Sequence, residues 1–116
     1  MDKEACIFCK VIKKEIPSDI VFENNETVAF NDIHPQAPVH IIVIPKQHIE
    51  RVSDLADKDA NLTGKLVLIA KRIAKEKGIE ASGYRIVMNC NKDAGQAVFH
   101  LHLHLLGGRL FTWPPG

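Results

Sequence analysis

Histidine alternates with large apolar residues near the C-terminus, in the run Phe99-His100-Leu101-His102-Leu103-His104-Leu105-Leu106. Successive side chains of a β-strand point to opposite faces of the sheet, so residues two apart share a face. The run therefore predicts a strand over 99–106, with three imidazoles on one face and Phe99 and the leucines in a core on the other. A row of imidazoles suits nucleophilic, acid–base or metal chemistry, because the unperturbed pKa of histidine lies nearest neutrality.

The spacing of the three histidines indicates separate roles. Cα atoms two apart along a strand lie roughly 6.6 Å from each other, so His100 and His104 are expected roughly 13 Å apart. Zinc–nitrogen bonds are only about 2 Å long. Neighbouring histidines could share an ion, but three could not easily do so from a straight strand. The row favours a groove in which each imidazole has its own task.

Composition narrows the classes of protein. A chain of 116 residues with 46% hydrophobic content predicts a single domain over 1–116. The net charge of +1 gives no reason to expect a nucleic-acid groove or a membrane surface. The apolar stretch Ile41–Ile44 is too short to span a bilayer. No long apolar region follows the charged segment Met1–Glu4, so we expect no signal peptide. We expect a cytoplasmic protein, whose three cysteines remain reduced.

Hydrophobic periodicity and turn residues predict two helices and five strands. The helices are expected over 7–14 and 59–77, and the strands over 20–23, 27–30, 39–44, 84–88 and 99–106. A short loop over 91–96 joins the last two strands and allows an antiparallel pair. This order predicts an α+β fold, with helices packed on an antiparallel sheet.

A second motif, Cys6-Ile7-Phe8-Cys9, has the C-x-x-C spacing of a metal site. Two soft thiolates favour zinc. A thioredoxin-like redox pair and two inert thiols are the alternatives, although no βαβ pattern surrounds the motif. Because the motif supplies only two ligands, two more must come from elsewhere, and His48 and His100 are candidates.

The loop before the histidine row could hold an anion. Lys92–Ala97 contains Gly95 beside Gln96. Glycine lets backbone N–H groups approach a ligand closely, and successive N–H groups in a turn bind anions. A phosphate in this loop would lie against His102. An ordinary turn is the alternative for the loop, as a packed histidine is for His40 at the start of the third strand.

These residues together resemble a known family. The histidine run matches the His-φ-His-φ-His-φ-φ signature of the histidine triad superfamily, where φ is apolar. The tail is similar to the Hint branch, the nucleoside phosphoramidases, in Gly107-Gly108-Arg109 and in Trp113-Pro114-Pro115-Gly116. Further matching segments are Ala29-Phe30-Asn31-Asp32-Ile33, Pro35-Gln36-Ala37-Pro38-Val39-His40 and Val43-Ile44-Pro45-Lys46. The resemblance extends from about Cys6 to Gly116.

The resemblance implies a half-barrel sheet of five antiparallel strands with one long and one short helix. It also implies a homodimer, in which two protomers form one continuous ten-stranded sheet. The implied activity is hydrolysis of the P–N bond of purine nucleoside 5′-phosphoramidates, such as adenosine 5′-phosphoramidate, to the nucleoside monophosphate. A nucleotidyl-histidine intermediate divides this reaction into two easier steps.

The same resemblance implies residue roles. His102 would be the nucleophile, His104 would contact the phosphate and pass a proton to the leaving amine, and His40 would orient the histidine network. The implied nucleotide-binding residues are Asp32, Ile33, Asn89, Gly95, Gln96, Ala97, His102 and His104. A closed structural zinc site, with no metal required for catalysis, would consist of Cys6, Cys9, His48 and His100.

Two departures from the family pattern and three alternative functions stay open. Many Hint proteins carry serine in place of Ala97, so protonation of the amine would depend more on His104. Thr112 stands where some relatives have histidine. One alternative is a dinucleoside polyphosphate hydrolase, against which the Trp-Pro-Pro-Gly tail argues. The others are a metal-dependent hydrolase with zinc on His100 and His102, and a nucleotide-binding protein without important turnover.

Overall fold

The computed structural model describes residues 5–116 and contains one five-stranded antiparallel sheet with two helices. The helices are α1 (Ile7–Ile12) and α2 (Ala60–Glu76), and the strands are β1 (Ile20–Glu23), β2 (Thr27–Asn31), β3 (Val39–Pro45), β4 (Tyr84–Val87) and β5 (Leu103–Gly107). The strands lie in the order β1-β2-β3-β5-β4, so β1 and β4 form the edges of an open sheet. The predicted α+β class is confirmed. Residues Met1–Glu4, part of the expectation that no signal peptide is present, lie outside the described residues.

The two faces of the sheet bury separate apolar clusters. The long helix α2 packs on β3 and β5 through a stripe at helical spacing, which consists of Leu66, Ile69, Ala70, Ile73 and Ala74. The short helix α1 packs on the other face, where Phe8 and Val11 lie against Phe30 and Ile42. Burial of these two clusters holds both helices on the sheet, because a helix of six residues is not stable by itself.

A side chain closes the β1–β2 hairpin. The Asn24 side-chain oxygen accepts hydrogen bonds from the Glu26 and Thr27 amides at 2.9 and 2.8 Å, and from the Thr27 hydroxyl at 2.7 Å. Asparagine stabilises turns in this way, by replacing a backbone acceptor with its own amide oxygen. The turn therefore lies at Asn24-Asn25, between the strands predicted over 20–23 and 27–30.

The fifth strand begins later than the histidine run predicts. Its pairing with β3 starts at Leu103, opposite Val43. Beyond that point, Pro45 has no N–H to donate, and its carbonyl accepts a hydrogen bond from the ring of His100 at 2.8 Å. His100 and His102 therefore precede the strand, and of the three histidines only His104 lies within it.

The leucines at alternate positions of the histidine run share one core, although Leu101 precedes the strand. Leu101, Leu103 and Leu105 are all buried in the core beneath α2. The expectation that Phe99 joins this core is wrong, because Phe99 is only partly buried and lies under the guanidinium of Arg51, 5.2 Å from its ring centre. The connection between β4 and β5 covers 88–102, longer than the predicted loop, although the two strands are antiparallel as expected.

In residues 5–116, none of the helices combines the length and the apolar character needed to cross a membrane.

Candidate active site

Three imidazoles meet at one end of the central strands. His40 lies on β3, His104 lies on β5, and His102 precedes β5 by one residue. The ring centres of His40 and His104 are 5.1 Å apart, and those of His102 and His104 are 4.9 Å apart. Antiparallel pairing of β3 with β5 places Ile42 opposite His104, which brings His40 beside it on the same side of the sheet.

Backbone hydrogen bonds determine which nitrogen of His40 carries its hydrogen. The Gln36 amide donates to His40 Nδ1 at 3.0 Å, so Nδ1 is an acceptor and Nε2 carries the hydrogen in the neutral ring. His40 Nε2 then donates to His104 Nδ1 at 2.9 Å. His104 must in turn carry its hydrogen on Nε2. We call the linked hydrogen bonds from the Gln36 amide through His40 to His104 the histidine relay. The relay ends in the N–H group of His104 Nε2.

The nitrogen of His102 that carries the free lone pair follows from the same reasoning. His102 Nδ1 donates to the carbonyl of His100 at 2.7 Å, which leaves the lone pair on His102 Nε2. An imidazole with a hydrogen-bonded Nδ1–H and a bare Nε2 is a nucleophile or general base. His104 therefore offers a hydrogen-bond donor at Nε2, and the adjacent ring of His102 offers a lone pair at Nε2.

Burial keeps these rings neutral. It is the largest cause of the lowered pKa of His102 and of His40, although the nearby carboxylate of Asp32 opposes both shifts. Burial also lowers the pKa of His104 to about 4, assisted by the neighbouring rings of His102 and His40. Neutral imidazoles at physiological pH are what the hydrogen-bond chain requires.

Asp32, His40 and His104 also place their ligand atoms within 4.8 Å of one another. Asp32 Oδ2 lies 3.4 Å from His40 Nε2, and Asp32 Oδ1 accepts a hydrogen bond from the His34 amide at 2.8 Å. A metal would need a lone pair on His40 Nε2, whereas the Gln36 amide keeps the hydrogen there. This cluster is therefore better suited to orienting a proton than to binding an ion.

His102 and His104 border a cavity of about 430 Å³. Its polar lining includes Asp32, Asn89, His102 and His104, and its apolar wall consists of Ile7, Phe8, Val11, Ile16, Phe30, Ile33, Ile42 and Val98. Pockets of this size hold small organic ligands, with a few polar groups that orient them. Ile33 lines the cavity and is 84% exposed, so its side chain is accessible to a ligand there.

The 91–97 loop contributes less side-chain chemistry than the sequence indicates. Gln96 is buried, its side chain accepts from the Asn91 amide at 2.9 Å, and it donates to the carbonyls of Glu50 and Val98. The backbone N–H of Gln96 also donates to the Asn91 carbonyl at 3.1 Å. Gln96 therefore stabilises the loop and does not line the cavity. Gly95 and Ala97 do line it, and Gly95 has φ +80°, a conformation that favours glycine.

A second cluster lies directly behind His102, where Cys6, Cys9, His48 and His100 place their ligand atoms within 4.8 Å of one another. His100 Nδ1 lies 3.4 Å from Cys6 Sγ and 3.2 Å from His48 Nδ1, and Cys9 Sγ lies 3.3 Å from His48 Nδ1. A tetrahedral zinc ion with ordinary bond lengths separates its sulfur and nitrogen ligands by about 3.5 Å and its two nitrogens by about 3.3 Å. The observed distances fit that arrangement.

The chemistry of the four ligands also fits zinc. His100 Nε2 donates to Pro45, so its Nδ1 lone pair faces the cluster, and burial lowers its pKa to about 4 and keeps the ring neutral. Cys6 and Cys9 are almost completely buried. The Cys6 sulfur also accepts a hydrogen bond from the backbone amide of Cys9 at 3.3 Å, which caps α1. Four protein ligands would close the site, which is typical of structural zinc.

Acidification is expected to destabilise the fold through protonation of His104. Because the pKa of His104 is about 4 in the folded chain and 6.5 ordinarily, the unfolded state binds more protons between these pH values, and stability falls as the pH drops through them. We expect this ring to contribute about 1 kcal/mol, after allowance for its partial exposure. Urea denaturation from pH 7 to pH 4 measures the effect. A His104→Gln variant should show a weaker pH dependence, and an equal dependence in both proteins would contradict the prediction.

Some residues of the site have no strong sequence signal. The apolar wall formed by Ile7, Phe8 and Val11 lies on a helix that the sequence predicts only as a packing element. The spacing of Ile7 and Val11, one helical turn apart, is the signal that could have identified this wall. The amide of Gln36 has no such signal, because a backbone group is the same in every residue.

The open sheet and the row of histidines define a histidine-triad protein. The sequence matches the HIT domain family over residues 13–110, and the chain belongs to that family. An uncharacterized HIT-like protein of Synechococcus elongatus is 50% identical over 113 residues, which cover 97% of this chain and 98% of that protein.

Solved structures agree in fold. A HIT family hydrolase from Legionella pneumophila Philadelphia 1 has a TM-score of 0.94 at 50% identity, with 96% of this chain and 99% of that chain covered. A histidine triad nucleotide-binding protein from Candida albicans has a TM-score of 0.79 at 31% identity, with 97% of this chain and 85% of that chain covered.

Proposed function

We propose that this protein is a purine nucleoside phosphoramidase. It would cleave the P–N bond of a nucleoside 5′-phosphoramidate to the nucleoside monophosphate and a free amine. The observation that carries the proposal is the pairing of His102, whose Nε2 lone pair borders the cavity, with His104, whose Nε2 carries a hydrogen. The names of the Legionella hydrolase and the Candida nucleotide-binding protein support the same class of activity.

In the first step, His102 Nε2 attacks the α-phosphorus while the P–N bond to the amine breaks. The departing nitrogen takes the hydrogen from His104 Nε2 and leaves as the amine, and a proton from the solvent replaces that hydrogen, so that the His104 ring ends the step neutral. A nucleotidyl group is then bonded to His102 Nε2, and its ring becomes cationic. The His100 carbonyl, which accepts the Nδ1–H at 2.7 Å, stabilises that charge.

In the second step, water attacks the same phosphorus and releases a proton to the solvent, which balances the proton taken up in the first step. The bond to His102 Nε2 breaks, and the nucleoside monophosphate leaves. Both rings return to their starting tautomers, because the Gln36 amide and the His100 carbonyl continue to favour them. No step requires a metal, so zinc at the Cys2His2 cluster would be structural.

The lining of the cavity suggests how the nucleotide binds. Asp32 would accept hydrogen bonds from the ribose hydroxyls, and Ile33 and the apolar wall would enclose the base. Asn89, Gly95 and Ala97 would surround the phosphate and sugar. Ala97 offers no side-chain hydroxyl, so His104 supplies the proton to the leaving amine. The wall carries few polar groups for reading base edges, which suits a purine held mainly by stacking and shape.

Two alternatives are less well supported. A metal-dependent hydrolase would need His100 and His102 to share an ion, whereas His102 Nδ1 is bonded to the His100 carbonyl and His100 Nδ1 faces the cysteines. A binding protein without turnover would not need a lone pair and a donor on adjacent rings. The dinucleoside polyphosphate hydrolase uses the same histidines, and substrate comparison separates it.

Intact-mass analysis tests the proposal. The protein is mixed briefly with adenosine 5′-phosphoramidate and quenched in conditions that preserve a phosphorus–nitrogen bond to histidine. The expected result is a chain heavier by one adenylyl group, which disappears as the substrate is exhausted. Product formation without any adduct, even in the earliest samples, would contradict the covalent mechanism. An absence of both adduct and product would contradict the phosphoramidase proposal.

The Gln36 amide is expected to set the efficiency of the proton relay. Gln36→Pro removes the N–H that holds His40, whereas Gln36→Ala keeps it and removes only the side chain. We expect the proline variant to lose about tenfold in kcat with amine leaving groups, and the alanine variant to lose little. Steady-state kinetics and ¹⁵N spectra of the His40 ring measure the effect. Equal kinetics and equal ring spectra in the two variants would rule out this role of the amide.

We also propose that the protein is a homodimer joined along β4. This strand is an edge of the sheet, and beside it lies a cavity of about 510 Å³ lined by Tyr84, Arg85 and the start of the C-terminal tail. Leu110 in that tail is 88% exposed, as expected of a residue that a partner covers. Sedimentation should show a dimer, Leu110→Glu should shift it toward monomer, and Lys58→Glu should not. A monomer at all concentrations would contradict the proposal.

A further inference from the structure

Helix α1 belongs to two sites at once. Its capping residue Cys6 and its third residue Cys9 supply the two thiols of the metal cluster. Ile7, Phe8 and Val11 from the same helix line the cavity beside His102. One short segment therefore has its sulfur atoms on one site and its apolar side chains on the other.

Phe8 makes the closest connection between the two sites. Its ring lies edge-on to His100, with ring centres 6.0 Å apart, and edge-on to His102, with ring centres 5.1 Å apart. Phe8 is buried, and its other aromatic neighbour is Phe30 at 5.5 Å. A shift of α1 would therefore move an aromatic ring that packs directly against the proposed nucleophile.

His100 makes a second connection. Its ring faces the two cysteines, while its backbone carbonyl accepts the Nδ1–H of His102 at 2.7 Å. The residue that would bind the metal is thus the residue that selects the reactive nitrogen of His102. Any displacement of His100 changes the geometry of that hydrogen bond.

A metal would hold this cluster more firmly than hydrogen bonds can. His100 Nδ1 carries a lone pair, and His48 Nδ1 lies only 3.2 Å away, with the Cys9 sulfur 3.3 Å from His48 and 3.5 Å from His100. Without a metal, the cysteine thiols are only weak hydrogen-bond donors to these rings, whereas a bound metal joins all four side chains and its binding energy stabilises their arrangement. A helix of six residues depends on such contacts, because it is not stable by itself.

We propose that metal binding at the Cys2His2 cluster positions the apolar wall of the nucleotide pocket and the ring of His102, and that Phe8 is the positioning residue that connects them. Nucleotide affinity then depends on metal occupancy, although the metal touches neither the nucleotide nor the reacting atoms. The inference rests on the proposed function, because it takes the ligand of the cavity to be a nucleotide.

Calorimetric titration with adenosine 5′-monophosphate tests the inference without relying on turnover. The ligand is titrated into the full chain loaded with zinc, and into the same preparation after chelation and removal of the chelator. We expect the chelated protein to bind at least about tenfold more weakly. In ¹⁵N spectra, the His102 ring should keep a single Nδ1–H form when loaded and become a mixture of the two ring forms after chelation.

Two variants separate positioning from general stability. Phe8→Ala, loaded with zinc, should keep the metal but bind the nucleotide about tenfold more weakly, with the mixed His102 spectrum. Ile12→Ala removes a partly buried residue from the same helix outside the cavity lining, and should bind within about twofold of the parent protein. If the chelated protein unfolds, the comparison of Phe8→Ala with Ile12→Ala, both loaded with zinc, tests the inference.

Each outcome has one meaning. Equal nucleotide affinity in loaded and chelated protein, or a Phe8→Ala variant that behaves like Ile12→Ala, overturns the inference and leaves the proposed function intact. Failure of the loaded parent protein to bind the nucleotide overturns the proposed function. In that case the His102 spectrum still decides whether metal binding positions the ring.

Discussion

A His102→Ala variant is expected to lose at least about three orders of magnitude in kcat on adenosine 5′-phosphoramidate, and to bind adenosine 5′-monophosphate within about threefold of the parent protein. The large loss follows because no other group at the site offers a lone pair with the same position. His104 Nδ1 is occupied by the His40 hydrogen bond, and His104 Nε2 carries a hydrogen. Binding persists because Asp32 and the apolar wall remain.

Leaving-group dependence distinguishes the two histidines. His104→Gln should lose turnover with an alkylamine leaving group, which needs a proton, and should recover much of it with a nitrophenolate leaving group, which does not. His102→Ala should be inactive with both, because it lacks the attacking atom. Quenched-flow measurements with the two substrates give the comparison. Substantial turnover of either substrate by His102→Ala would remove the proposed nucleophile.

Local patterns account well for the fold. The apolar stripe of α2 predicts a helix over 59–77, and the structure has Ala60–Glu76. The turn residues at Asn24-Asn25 place the first hairpin correctly. The late start of β5 is different, because it depends on where β3 stops pairing, and that depends on Pro45 binding a ring from a distant part of the chain. Register between distant strands is not a property of either strand alone.

The candidate site divides in the same way. The histidine alternation and the C-x-x-C motif identify the candidate side chains that the structure brings together, because both depend on residue type and spacing. The roles of Gln36 and Phe8 come from contacts between residues far apart in sequence. Gln96 shows that an amide beside a glycine can have another use, because its side chain donates to the carbonyls of Glu50 and Val98 and so holds the loop in place.

The metal cluster and the histidine relay follow one structural rule. In both, a backbone group binds one ring nitrogen and thereby selects the chemistry of the other. The Pro45 carbonyl leaves the lone pair of His100 on Nδ1, and the His100 carbonyl leaves the lone pair of His102 on Nε2. The Gln36 amide, acting through His40, keeps the hydrogen of His104 on Nε2. The histidine residues are visible in the sequence, but their division of labour depends on main-chain atoms.

Removing a thiol ligand is expected to have the second-largest effect. We expect one zinc ion per chain in protein prepared without chelators, and none in Cys6→Ser or Cys6→Ala, as measured by elemental analysis. Serine preserves the cap of α1 because its hydroxyl can accept the Cys9 amide, whereas alanine cannot. Cys6→Ser should lower the free energy of unfolding by about 3 kcal/mol through loss of the metal, and Cys6→Ala by about 1 kcal/mol more through loss of the cap.

Denaturation of chelated samples separates these two contributions. Without metal, the parent protein and Cys6→Ser should have nearly the same free energy of unfolding, while Cys6→Ala should remain lower by the cap alone. A parent protein that contains no zinc, or a Cys6→Ser variant that keeps both its zinc and its stability, would exclude a structural metal at these four residues. A loss of stability in Cys6→Ser that persists after chelation would instead assign the effect to packing of the buried sulfur.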